Sequence, residues 1–96
     1  MTPQFRIITT SRFERALKKL VGQHPGLPEL FRRLIDVLKI DPHNRSRQHP
    51  IKKLEALPAG EGQYRIRSGR FRFRYDIDGQ AVYLKACSLR REDTYR

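Results

Sequence analysis

The 96-residue sequence lacks several features that define other protein classes. It has one cysteine, Cys87, and no tryptophan, so no internal disulfide can form and the fold cannot depend on oxidation. No stretch approaches the roughly 18 apolar residues of a membrane-spanning helix. Residues 1–10 lack the long apolar core of a secretion signal. We therefore expect a cytoplasmic protein with no membrane partner.

Acidic residues are also scarce. Lys and Arg total 21 against 10 Asp and Glu, which gives a formal net charge of +11. This imbalance says little about the fold but favours polyanionic partners, such as RNA, DNA, an acidic protein or an anionic surface. Hydrophobic residues make up 38% of the chain, with four Tyr and five Phe, enough for one modest core. We expect residues 1–96 to form a single domain.

The first half of the chain predicts one strand followed by a helical hairpin. Residues 4–9 are rich in strand-forming apolar side chains. Ser11 and Glu14 form a capping-box pattern at the start of a helix, and helical spacing of apolar residues continues to Gly22. Pro28 suits the first turn of a second helix, which should end at Asp41-Pro42. The polar, basic segment 43–53 is then expected to be a connector that could be mobile.

From residue 63 onward the apolar residues recur with a period of two, which is typical of strands. Ser68-Gly69 and Asp78-Gly79 are hairpin signals, so this region predicts a three-stranded antiparallel meander. Val82, Leu84 and Ala86 should share its apolar side. The expected fold is therefore α+β: an N-terminal strand, a two-helix hairpin, and the meander. The helices should cover the apolar side of the sheet and leave the other side open.

That open side is expected to carry a cluster of positive charge. Period-two geometry puts four arginines on one side of neighbouring strands, and we call this surface the arginine face: Arg65, Arg67, Arg72 and Arg74. Like charges held about 5 Å apart repel, and phosphate relieves the repulsion because a guanidinium can bind it through two parallel hydrogen bonds. A solvated face neutralised by interspersed acids is the alternative, but residues 63–75 contain no acid.

Other residue types give weaker signals. Phe71, Phe73 and Tyr75 alternate onto the apolar side, so core packing is favoured over base stacking. The three histidines and Cys87 match no standard metal-site spacing, and we expect neither a metal nor another cofactor. Cys87 itself is expected to be a small, half-buried residue rather than a nucleophile.

Two segments resemble the RelE/ParE toxins of toxin–antitoxin systems. Residues 64–75, YRIRSGRFRFRY, resemble the family's hairpin pattern YR(I/L)R-x-G-x-(Y/F)R-x-x-Y. Residues 90–95, RREDTY, resemble its R-R-x-x-x-Y ending, and Lys52-Lys53-Leu54 resembles the segment before the hairpin. The order of predicted elements also matches the family's fold. The resemblance implies a RelE/ParE-like toxin domain.

The RelE branch consists of ribosome-dependent endoribonucleases that cut messenger RNA. The resemblance therefore implies messenger RNA, the ribosome and a cognate antitoxin as partners, with no small-molecule cofactor. It places Arg72 at the arginine that contacts the scissile phosphate and Tyr95 at a catalytic tyrosine. With the clustered charge, it gives Arg72, Arg91 and Tyr95 as catalytic candidates. The candidates for RNA or phosphate binding are Arg65, Arg67, Arg70, Arg74, Arg90, Lys52 and Lys53.

Metal-free cleavage by the neighbouring 2′-hydroxyl needs a base, positive charge for the phosphorane, and an acid. Tyr95, with nearby arginines lowering its pKa, is the candidate base, and Arg72 and Arg91 are the charge stabilisers. The sequence offers no convincing acid. Leu89 also departs from the family, which often has a basic residue there. Two alternatives stay open: a ParE-like inhibitor of DNA gyrase, and a nucleic-acid-binding module without catalysis.

Overall fold

The computed structural model describes residues 4–55 and 60–89. These residues form two helices and one five-stranded sheet, and the predicted α+β order is confirmed. The elements are β1 (Arg6–Thr9), α1 (Ser11–Gln23), α2 (Leu27–Ile40), β2 (Ile51–Lys53), β3 (Tyr64–Ser68), β4 (Phe71–Asp78) and β5 (Ala81–Leu89). In this part of the chain, no helix has the length and apolarity needed to cross a membrane.

The sheet has the strand order β1-β5-β4-β3-β2. β3, β4 and β5 form the predicted antiparallel meander, and β1 pairs with β5 in parallel. The second edge strand, β2, was not predicted. Ile51 lies opposite Ile66, and Lys52 lies opposite Arg65. Three residues that include two lysines show no strand pattern of their own, so pairing with β3 is what defines this strand.

Both hairpin turns lie one residue later than predicted. Ser68 pairs with Phe71 and Asp78 pairs with Ala81, so the two-residue loops are Gly69-Arg70 and Gly79-Gln80. The glycines have φ values of +59° and +61°. Hairpin turns with glycine first need this left-handed conformation at the first loop position. The residue before each glycine therefore stays in its strand.

The start of α1 also differs from the prediction. Thr10 is the N-cap, and its side-chain oxygen accepts a hydrogen bond from the Phe13 N–H at 3.0 Å. Ser11 is the first helical residue, so the predicted Ser11–Glu14 capping box is wrong. The Glu14 carboxylate instead accepts a hydrogen bond from the Thr9 hydroxyl. The second helix begins with Pro28 in its first turn, as expected, and ends with Asp41 as its C-cap.

The connector between α2 and β2 is organised by two side chains rather than loosely held. The Asp41 carboxylate accepts hydrogen bonds from the Arg45 N–H at 2.8 Å and from the Ser46 hydroxyl at 2.7 Å. Asn44, at φ +57°, binds both backbone groups of His49, at 2.9 and 3.1 Å. The polar, basic composition of this segment suggested mobility, because composition alone does not reveal hydrogen bonds between side chains and backbone.

The core lies between the helices and one side of the sheet. The Phe73 ring lies 6.5 Å from that of Phe13 in α1 and 5.7 Å from that of Phe31 in α2. Phe71, Phe73 and Tyr75 are buried, so the prediction that they pack in the core is confirmed. The Tyr75 hydroxyl donates a hydrogen bond to the Pro42 carbonyl at 2.7 Å. With these rings turned inward, the intervening residues of β4 lie on the opposite side of the sheet.

Candidate nucleic-acid interface

The strand register assembles the arginine face in two rows that run across the strands. Arg65 lies between Lys52 on β2 and Arg74 on β4. Arg67 lies opposite Arg72, which in turn faces Ser88 on β5. Directly opposed residues have Cβ atoms about 4.5–5.5 Å apart. The sheet therefore concentrates positive charge from β2, β3 and β4 on the side away from the helices.

The arginines of this face differ in their exposure. Arg67 is exposed, whereas Arg65, Arg72 and Arg74 are half-buried, and the Nε atom of Arg72 is buried. A guanidinium that is partly withdrawn from water interacts more strongly with an anion than an exposed one does, because the local dielectric is lower. The half-buried arginines, Arg72 among them, therefore have surroundings suited to stabilising charge on a bound group.

The nearest acid on β4 is already engaged. Asp76, two residues beyond Arg74, accepts hydrogen bonds from the Gly62 and Gln63 N–H groups, each at 2.9 Å. None of the four arginines has an Asp or Glu at its paired position. The carboxylate of Asp76 thus holds the loop before β3 through two N–H groups.

Arg74 has a structural task on the same face. Its Nε donates to the Gly62 carbonyl at 3.1 Å, and its terminal nitrogen donates to the Glu61 carbonyl. Gly62 has a φ of +81°, and a Cβ there would lie 2.9 Å from the Arg74 Cβ. The Arg74 guanidinium is thus held by backbone carbonyls. Its predicted role in phosphate binding stays a prediction.

The two adjacent lysines point to opposite sides of the sheet. Lys52 is exposed and lies opposite Arg65, so it extends the arginine face. Lys53 lies opposite Tyr64, and its Nζ is 5.8 Å from the centre of that ring. The sequence grouped both lysines with the arginines, but the structure brings only Lys52 to them. Arg70 is exposed in the β3–β4 turn, at one end of the face.

Three predicted site residues, Arg90, Arg91 and Tyr95, lie outside the described residues. The last described residue of β5, Leu89, lies opposite Phe71, and Ser88 lies opposite Arg72.

Comparison with known proteins finds one informative likeness. No family model and no curated protein matches the chain. A chain of the crystal structure of the archaeal RelE-RelB complex from Pyrococcus horikoshii OT3 matches with a TM-score of 0.66 at 22% sequence identity, covering 90% of this chain and 94% of that one. The chain has a RelE-like fold. The fold implied by the sequence resemblance is thus confirmed.

Within this RelE-like fold, Leu89 belongs to the core. Its exposed fraction is 9%, and it joins the same hydrophobic cluster as Phe71 and Phe73. A position that is often basic in the resembled family is therefore committed to packing here. Any cationic group that acts from this end of β5 has to come from another residue.

A β-bulge in β5 involves Lys85, which was not among the predicted site residues. Arg74 pairs with Ala86 and Tyr75 pairs with Leu84, which leaves Lys85 as the extra residue. Leu84 and Cys87 can then both contact the core, while Lys85 and Ala86 line a groove beside Arg74. The expectation that Ala86 shares the apolar side with Leu84 is wrong because strict alternation ignores the bulge.

Two other features bear on the chemistry of the RelE-like sheet. Within residues 4–55 and 60–89, no three His, Cys, Asp or Glu side chains lie together as a possible metal-binding group. Cys87 is half-buried, and burial raises the pKa of its thiol to about 11. At neutral pH Cys87 is therefore a neutral thiol rather than the thiolate that a nucleophile requires.

Proposed function

We propose that this protein is the toxin of a toxin–antitoxin pair and cleaves messenger RNA on its arginine face. The observation that supports this proposal most directly is the cross-strand pair Arg67–Arg72, with Arg65 and Lys52 in the neighbouring row. Four cations on one side of a sheet match the repeating negative charge of an RNA backbone. The RelE-like fold supports the same proposal.

In this proposal, the RNA backbone lies along the arginine face. The exposed Lys52 and Arg67, together with Arg65, hold phosphates on either side of the bond to be cut. Arginine is suited to this task because its planar guanidinium can bind two phosphate oxygens at once. Arg72, half-buried and with its Nε shielded from water, stabilises the extra negative charge of the phosphorane.

The reaction needs no water as nucleophile. The 2′-oxygen attacks the adjacent phosphorus, its proton passes to a base, and the bond to the 5′-oxygen of the next nucleotide breaks. The products carry a 2′,3′-cyclic phosphate and a 5′-hydroxyl. We assign the base to Tyr95 and a second charge-stabilising role to Arg91, both outside the described residues. The proton for the departing 5′-oxygen comes from the ribosome or from water in this scheme.

A toxin of this kind requires a partner that keeps it inactive. The matched RelE chain was crystallised in complex with RelB. We propose that a cognate antitoxin binds this protein and covers the arginine face with an acidic segment. Such a segment would compete with RNA for the same guanidinium groups.

A second candidate function is inhibition of DNA gyrase, as in the ParE branch. The observation that favours it is the burial of Leu89, because the core occupies a position from which RelE-type enzymes often supply a cation. In this alternative the arginine face binds its target without breaking an RNA bond.

Induced expression without an antitoxin, followed by primer extension on cellular messages, tests the proposal. We expect growth arrest with discrete cuts in translated messages, and loss of the cuts in Arg72→Ala. Arg33→Ala is the matched control, since Arg33 is exposed on α2 and lies outside the arginine face. Growth arrest with intact messages and broken DNA would instead establish the gyrase alternative.

A further inference from the structure

We propose that a second phosphate-binding site lies in the groove between the start of α1 and the β5 bulge, and that it holds a phosphate of the same RNA strand beyond the arginine face. We call it the α1 groove. It has a volume of about 300 Å³ and is lined by Thr10, Arg12, Gly60, Glu61, Arg74, Lys85 and Ala86. This inference rests on the proposed function, because it assumes RNA on the arginine face.

The charge of the α1 groove favours an anion. Three cations from three different elements line it, Arg12 from α1, Arg74 from β4 and Lys85 from β5, against one acid, Glu61. A water molecule takes about 30 Å³ of liquid volume, so the groove has room for a phosphate group with its hydration shell. Because the three cations line one groove, they can contact the same bound anion, which charges scattered over a flat surface cannot do.

The β5 bulge places Lys85 and Ala86 together at the groove. If the register of Asp78–Ala81 continued without a shift, Lys85 would lie opposite Arg74, but Ala86 would lie opposite Phe73 on the core side. The register shift between Arg74 and Tyr75 leaves Lys85 without a paired residue and pairs Ala86 with Arg74, so that both residues line the groove. Bulges redirect side chains and are frequent beside functional sites. The fold thus departs from regular strand geometry at the point where β5 lines the groove.

Arg12 is placed where helix electrostatics disfavour a cation. It lies in the first turn of α1, next to the positive end of the helix dipole, where acidic residues are preferred. Its side chain is exposed. A bound phosphate would be attracted by Arg12 and by the helix terminus together, so occupancy of the groove would turn an unfavourable placement into a favourable one.

Arg74 connects the α1 groove to the arginine face. It lines the groove and also lies opposite Arg65 in β3. Its guanidinium is held in place by the carbonyls of Glu61 and Gly62. A strand bound at Arg65 and Arg67 therefore meets a continuous set of cations that leads to Lys85 and Arg12. A linear polyanion fits this arrangement better than an isolated phosphate ion.

The test is binding of a 12-nucleotide RNA with 2′-O-methyl groups, which block cleavage, to the full chain across a range of KCl concentrations. For single strands the slope of log K against log salt falls by about 0.7 for each phosphate contact. Because the groove holds one phosphate, the variant Arg12→Gln/Lys85→Gln should make the slope less steep by about 0.7 and weaken binding. The matched control Lys18→Gln/Lys19→Gln removes two charges from exposed positions of α1 outside the groove lining and should leave the slope unchanged.

Additional arms separate the outcomes. Arg12→Glu changes only an exposed residue and should weaken binding even if the Lys85 substitution disturbs the fold. If Arg67→Gln weakens binding but both groove variants behave like the control, the α1 groove proposal is overturned and the proposed function stands. If Arg67→Gln binds the RNA as tightly as the wild type does and with the same salt slope, the arginine face does not hold RNA, and both the proposed function and the groove proposal fall. If millimolar inorganic phosphate alone binds the groove as well as the RNA does, the groove is a free-phosphate site. That result would also overturn the proposal that it holds a phosphate of the RNA strand.

Discussion

At the scale of single residues, side chains on the same face of β4 have different roles. Arg72 and Arg74 are both on the arginine face, yet Arg74 binds the carbonyls of the loop before β3, and Asp76 binds that loop's N–H groups. Alternation in the sequence predicted which side of the sheet each residue occupies. It could not predict the loop contacts, because they depend on the backbone conformation at Gly62 rather than on a side-chain pattern.

The requirement for glycine at position 62 is directly testable. Gly62→Ala should lower the free energy of unfolding by about 1–3 kcal/mol, because φ is +81° and the added Cβ would meet the Arg74 Cβ at 2.9 Å. Gly22→Ala is the matched control, since Gly22 is helical with nothing within 4 Å of the added Cβ. That change should stabilise by up to about 1 kcal/mol. Urea unfolding compares the two, and similar effects would contradict this account of Gly62.

The buried hydroxyl of Tyr75 gives a second residue-level prediction. Tyr75→Phe keeps the ring in the core but leaves the Pro42 carbonyl without its 2.7 Å hydrogen bond. We expect a loss of about 1–3 kcal/mol, the usual cost of an unsatisfied buried acceptor. Burial, reinforced by Tyr64 and Asp41 nearby, raises the pKa of Tyr75, so the hydroxyl stays protonated at neutral pH. Thermal unfolding measures the loss. A variant as stable as the wild type would show that the hydrogen bond from Tyr75 to Pro42 does not contribute to stability.

At the scale of secondary-structure elements, the sequence predicted which helices and strands form better than it predicted their pairing and irregularities. Both helices and the meander were predicted, because apolar periodicity reports burial on one side of an element. The edge strand β2 and the β5 bulge were missed. Each is defined by pairing with a neighbouring strand, and neither Ile51 nor Lys85 carries a local signal for it. Missing the bulge put Ala86 on the wrong side of the sheet, because strict alternation groups it with Leu84.

Substitutions at the start of α1 distinguish the observed N-cap of this helix, Thr10, from the predicted capping box at Ser11. Thr10→Ala should cost about 1 kcal/mol, because it removes the acceptor for the Phe13 N–H. Ser11→Ala should be nearly neutral, since Ser11 is an exposed residue within the helix. Denaturant unfolding of the two variants gives the comparison. A larger effect at Ser11 than at Thr10 would restore the predicted capping box.

The connector after α2 should make stability depend on pH. Burial alone would raise the pKa of Asp41, but hydrogen bonds from Ser46 and Arg45, together with His49, lower it below 3.8. A pKa that is lower in the folded state stabilises the fold above the unfolded value, and this contribution is lost as pH falls through the folded value. Asp41→Asn should therefore cost about 1.5 kcal/mol at pH 7.

The same difference between wild type and Asp41→Asn should shrink when the pH falls below 3.8. Urea unfolding at pH 7 and at pH 3 measures it. Because the Asn side chain does not titrate, the variant itself should lose less stability than the wild type over this interval. A difference that stays constant from pH 7 to pH 3 would mean that the Asp41 charge does not stabilise the connector.

At the scale of the whole molecule, one side of the sheet packs in the hydrophobic core and the other side carries the clustered arginines. The helices pack on the side of Ile66 and Phe73, and this leaves the row of Arg67 and Arg72 on the opposite side. The alternation of apolar and basic residues in β3 and β4 made this division predictable from sequence. The parallel pairing of β1 with β5 was not predictable, because it joins segments about 75 residues apart in the chain and no local pattern marks the pair.

The measurement that tests the central claim most directly is cleavage of a defined message in a purified translation system, with mapping of the new ends. We predict cuts with 5′-hydroxyl ends that require ribosomes, are lost in Arg72→Gln and are retained in Arg33→Gln. A 2′-O-methyl group at the cut nucleotide should abolish cleavage there. Intact messages with the well-folded wild-type protein, or equal cleavage by Arg72→Gln, would contradict the assignment of RNA cleavage to the arginine face.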